Sequence, residues 1–201
     1  MREILIAAAA LFLAASGFAS AQQPARIRGE ITKMDGGAMT LKARDGSTMD
    51  VKLADDARVS ALVKATLADV KDDTFIGVAG TPRPDGTIEA YSIHIFLPAQ
   101  RGVVPDRFGP WDGKPNATMT NGYVAGAAAV SADGQTLTVK YKEGEKKVLV
   151  TPQTAIAAVA PGNKDELKAG TQIIIMQSDK AADGSVTAKN LYLGRSLTPA
   201  M

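Results

Sequence analysis

The chain carries one histidine, one tryptophan and no cysteine, so the chemistry open to it is narrow. His94 could act as a general base or as a ligand. It is followed closely by Arg101, Asp106, Arg107, Trp111 and Asp112. His94 with Asp106 or Asp112 is the one pairing from which a hydrolase or transferase could be built. Arg101, Arg107, Trp111 and Asp112 suit a different task. Guanidiniums and an indole on a proline-stiffened loop make a hot spot for a protein or a carboxylate-bearing ligand. The same groups could instead pair with acidic residues across the fold and act as a clasp.

Other chemistries lack their residues. Zinc or copper sites want several His or Cys ligands. Met34, Met39, Met49, Met119, Met176 and Met201 are scattered, as core-filling residues are. Asp55-Asp56 and Asp72-Asp73 lack the spacing of a calcium loop and read as turn residues. There is no G-x-S-x-G elbow, and residues 109–115 end in Pro115 where a phosphate loop needs Ser or Thr. No metal and no cofactor is expected. With 23 basic against 21 acidic residues and 5% aromatic content, no nucleic-acid partner is expected either.

These residues must be positioned by strands. From Ile27 onward, apolar and polar residues alternate in short runs broken by Asp35-Gly36-Gly37, Asp45-Gly46 and Asp85-Gly86, the pattern of a β-meander. Thr66-Leu67-Ala68-Asp69 has the spacing of a capping box and predicts one helical turn. The order then recurs. Thr136-Leu137 answers Thr40-Leu41, residues 163–166 again place an acid three positions after a cap, and Asp183-Gly184 answers Asp85-Gly86. About five strands per copy, with a helical turn between the third and fourth, predict an all-β fold. The expected architecture is two tandem small OB-like Greek-key β-barrels joined by a Pro/Gly-rich structured segment. The boundaries are a first barrel at 26–97, a connecting segment at 98–121, a second barrel at 122–195 and a tail at 196–201. In residues 91–96, alternation places Tyr91, Ile93 and Ile95 toward the core, with Ser92, His94 and Phe96 on the opposite, surface side.

The connecting segment holds Pro98, Pro105, Pro110 and Pro115, and no regular period. It also holds Val103, Val104, Phe108, Trp111 and Met119. That apolar content distinguishes it from a polar tether and predicts that it is buried between the barrels. Residues 93–102, with Pro110-Trp111-Asp112 and residues 118–122, resemble a family of small exported proteobacterial proteins. Members carry an OB-like domain of unknown function and are often labelled "metal ABC transporter permease". The resemblance implies the OB-like fold and no catalytic residues. A permease needs several membrane spans, which this chain lacks, so a link to metal transport implies a soluble accessory.

The first residues complete the picture. Arg2 precedes an apolar run from Ile4 to Ala15, and Ala19-Ser20-Ala21 forms a small-x-small site. This predicts a signal peptide at 1–21, cleaved after Ala21, and a periplasmic mature protein with no stable membrane insertion. The expected function is a non-enzymatic periplasmic binding or protein-interaction module, with a periplasmic protein or small ligand as partner. The alternatives are the His94 hydrolase or transferase, and an accessory to metal or envelope homeostasis.

Overall fold

The computed structural model describes residues 26–131, 134–195, 197 and 199. The predicted leader at 1–21 and most of the predicted tail lie outside them. Among the described residues, alternating sequence becomes eleven strands. They are β1 (Ile27–Asp35), β2 (Ala38–Ala43), β3 (Thr48–Lys64), β4 (Phe75–Pro82), β5 (Ile88–Ile95) and β6 (Arg107–Pro110), then β7 (Thr118–Ser131), β8 (Gly134–Tyr141), β9 (Gly144–Pro161), β10 (Gln172–Lys180) and β11 (Val186–Gly194). Short 3-10 turns lie at Leu67–Asp69, Pro98–Gln100 and Lys164–Glu166. The first and third follow their capping acids as predicted. Thr66 donates its backbone N–H and its hydroxyl to Asp69, both at 2.8 Å, and the Asn163 N–H reaches Glu166 at 2.9 Å. The Asp-Gly turns also form as read. Gly46, Gly86 and Gly184 sit at φ 86°, 83° and 86°, while each preceding aspartate accepts the N–H two residues on at 2.9 Å.

The strands close into five-stranded barrels of OB order. In the first circuit β1 pairs β2, β2 pairs β3, β3 runs parallel to β11, β11 pairs β10, and β10 returns to β1. In the second, β7, β8 and β9 form the meander, β9 runs parallel to β5, and β4 closes between β5 and β7. The all-β, OB-like expectation holds. The barrels do not, however, coincide with the sequence copies at 26–97 and 122–195. Each takes three strands from one copy and two from the other.

The length of β3 and β9 explains the exchange. Their C-terminal ends run on beyond β2 and β8 and, while still closing their own barrels, pair antiparallel with each other, from Ser60↔Pro161 to Lys64↔Ala157, with Leu62↔Val159 at the centre. Each copy is thereby carried across to the other before its fourth strand begins. The cores are mixed accordingly. Ile31, Leu41 and Val51 pack with Ile173, Ile175 and Leu191 in one barrel, while Ile76, Val78 and Ile93 pack with Leu137, Val139 and Val148 in the other. A copy alone would leave these side chains in water, at about 1.5–3 kcal/mol for each one fully uncovered.

We therefore expect fragments 22–97 and 98–201, expressed separately, to be unfolded or self-associated, and to form a 1:1 folded complex when mixed. Circular dichroism with size-exclusion chromatography checks this. A folded monomer of either fragment alone would contradict the exchange.

Candidate functional site

The connecting segment fills the seam between the barrels. Trp111, 7% exposed, packs in a third cluster with Leu62, Ile174 and Tyr192 of one barrel and Ala79, Met119 and Val159 of the other. The segment is not wholly irregular, because residues 107–110 form β6 along β7. Asp112 receives the Arg26 backbone N–H at 3.1 Å and the Arg28 guanidinium at 2.7 Å. The Arg26 guanidinium lies 4.0 Å from the centre of the indole ring. Burial alone would raise the pKa of Asp112. The hydrogen bonds from Arg28 and Arg26, with their charges, overcome this and hold it below the usual carboxylate range. Gly113 is required by a close approach. A Cβ there would lie 2.6 Å from the Tyr91 hydroxyl and 2.8 Å from the Trp111 indole nitrogen.

Arg101 makes the other half of this fastening. Its guanidinium donates to the Asp73 carboxylate at 3.0 Å and to the Asp73 carbonyl, and lies 5.2 Å from the centre of the Tyr123 ring. Arg107, on β6, is near enough to Arg26 to help lower its pKa, after burial and Arg28. The nearby 3-10 turn contributes Gln100, whose amide donates to the Tyr192 hydroxyl at 3.0 Å. Trp111 and Asp112 are thus held against the protein itself, whereas Arg101 makes its contacts at the exposed surface.

His94 is elsewhere, and it is not on the surface. It is 1% exposed. The expectation failed because alternation shows only that His94 points away from its own barrel core. Its outer face is covered in turn, and the ring lines a cavity of about 600 Å³ over β5 and β9. Tyr91 also departs from the alternation. A bulge between Ala90 and Ser92 shifts the register, so Tyr91 packs at the seam instead of in the core.

The cavity floor is β9 residues Ala155, Ile156 and Ala157. The end of β3 and the turn after it, with Leu67, form one wall, and Leu197 contributes to the lining. Within this apolar surround the Ser92 hydroxyl oxygen and the His94 Nδ1 are both buried without a hydrogen-bond partner. Burial pushes the His94 pKa down to about 3, so the imidazole is neutral at physiological pH. Asp106 accepts the Lys142 backbone N–H at 3.2 Å and Asp112 is held by Arg26 and Arg28. Neither carboxylate lines the cavity. Among the described residues, no group of three or more His, Asp or Glu side chains gathers as a metal site.

Sequence reading missed Ser92 as a site residue, and Arg26 and Arg28 as partners of Asp112. A serine two positions before the single histidine on one strand face was the available signal for Ser92. Comparison with known proteins finds no matching family model, no matching curated protein and no matching solved structure.

Two outcomes are expected. Asp112→Asn leaves partly buried guanidiniums short of a counter-charge, and should cost about 1–3 kcal/mol by urea unfolding, with red-shifted Trp111 emission. An unchanged midpoint and emission would show that the contact holds nothing. For His94, the folded pKa lies below the unfolded value of 6.5. The stability its neutral form provides is full above pH 6.5 and is lost as pH falls toward 3. Between pH 6.5 and 5, where carboxylates stay charged, the wild type should lose about 1.5 kcal/mol more than His94→Leu. Equal losses would place His94 in water.

Proposed function

We propose that the protein is a non-enzymatic binding module of the exported compartment, and that the cavity over β5 and β9 is its ligand site. One observation carries this reading. A cavity of about 600 Å³ falls in the range of small-molecule sites, and its apolar lining holds two buried polar atoms with no partner. An orphaned buried polar group costs stability, which a folded chain tolerates more readily where the group has work to do. The enzyme alternative draws less support. Its carboxylates are engaged away from His94, and a histidine with a pKa near 3 is a weak base at neutral pH. The periplasmic address rests on the signal-peptide reading of residues 1–21.

The test fills the cavity. Ala155 is exposed on the cavity floor, so Ala155→Trp should block the site while leaving the unfolding midpoint nearly unchanged. A neutral environment-sensitive dye, N-phenyl-1-naphthylamine, should bind the wild type with enhanced fluorescence and bind the variant at least tenfold more weakly. Absence of binding to the wild type, or equal binding to both, would remove the cavity as the site.

A further inference from the structure

We infer that the ligand is an uncharged amphiphile, an apolar body ending in one hydroxyl or carbonyl, whose polar end is held by Ser92 and His94. This rests on the cavity being the ligand site and adds what enters it.

The polar pair defines the head. Ser92 and His94 lie two positions apart on one face of β5, roughly 7 Å along the strand. The hydroxyl can donate or accept, and the neutral imidazole offers one donor and one acceptor nitrogen. Between them they can satisfy a ligand hydroxyl or carbonyl in either sense. They cannot neutralise a charge. Lys64 is the only charged residue lining the cavity among the described residues, and it is exposed at the end of β3. A carboxylate, phosphate or ammonium drawn in to Ser92 and His94 would lose its hydration without an opposite charge in return. Thr66, Gln135, Thr151 and Thr154 add only neutral polar groups to the lining, and the Thr66 and Thr154 hydroxyls already donate to Asp69 and to the Ala90 carbonyl. Leu67, Val150, Ala155, Ile156 and Leu197 suit an alkyl or aromatic body.

The other barrel supplies an independent comparison. Leu62 and Val159 meet at the centre of the pseudo-twofold relation, so Ser60 and Ala157 are equivalent positions. In the parallel closures, His94 stands opposite Ala157 and Tyr192 opposite Ser60. Tyr192 therefore occupies the place of His94 in the first barrel. There the chain satisfies the polar group itself: the Gln100 amide donates to the Tyr192 hydroxyl at 3.0 Å, and Leu62, Ile174 and Trp111 cover the face. Gln100 does for Tyr192 what a ligand head would do for His94. The two copies keep a polar residue at the same place: Tyr192 of the second copy is covered, and His94 of the first lines the cavity.

The experiment displaces N-phenyl-1-naphthylamine from the full mature chain with ten-carbon compounds differing only in the head: 1-decanol, 2-decanone, decanoate and decylamine. The alcohol and ketone should compete at least tenfold better than the carboxylate and amine at pH 7.5. His94→Leu and Ser92→Ala should each reduce that preference several-fold, measured against each variant's own affinity for the dye. His94→Leu should also fold at least as stably as wild type, because it replaces an orphaned polar ring with an apolar side chain. If the dye binds but decanoate or decylamine competes as well as the alcohol, or neither variant alters the preference, the ligand class is wrong and the cavity reading stands. If the dye does not bind, or Ala155→Trp does not block it, both fail.

Discussion

The parallel pairing of β3 with β11, matched by that of β5 with β9, is the contact on which the molecule depends. Each pair joins strands from different sequence copies, so neither barrel closes unless both copies are present. Parallel strands cannot be joined by a tight hairpin, and the long connection has to go somewhere. Between β3 and β11 it runs through the opposite barrel, and between β5 and β9 through the connecting segment and the β7–β8 hairpin. The cost in chain entropy is offset by two mixed cores, and by the β3–β9 pairing that makes the two barrels one sheet path.

This arrangement creates the two places where side chains act beyond core packing. Antiparallel β3 and β9 hold the barrels side by side, leaving outer faces that must be covered. On one side the connecting segment lays Trp111 across the seam and pins it through Asp112 to Arg26 and Arg28. Gln100 ties the same segment to Tyr192. Over β5 and β9 the covering is incomplete, and Ser92 and His94 line the gap that results. Clasp and cavity are therefore two answers to one requirement, the covering of outer faces on a pseudo-symmetric pair.

Local chemistry was the most legible part of the sequence. The turns at Gly46, Gly86 and Gly184 need positive φ and an aspartate that folds back on the backbone. Both demands fall within three residues, so the sequence states them in full. The acids Asp69 and Glu166 are readable for the same reason. Strand exchange was not readable, because alternation assigns a side chain to a face and says nothing about which copy supplies the neighbouring strand. Trp111 was legible as a residue with something to bury, but Arg28 was not legible as part of its clasp. The guanidinium reaches Asp112 across 84 positions of chain. His94 was placed on the correct face of β5 and wrongly taken as exposed, since period-two alternation carries no information about a further layer.

The most direct test is the imidazole ¹⁵N–¹H correlation spectrum of His94, recorded from pH 7 to 5 with and without a medium-chain ketone. The chain has a single histidine, so the signals assign themselves in protein prepared without a histidine tag. A buried His94 should be a neutral tautomer that does not titrate in that range, and its ring nitrogen resonances should shift when the ketone is added. Titration near 6.5 would put His94 in water, and nitrogen resonances indifferent to the ketone would mean that it reads no ligand.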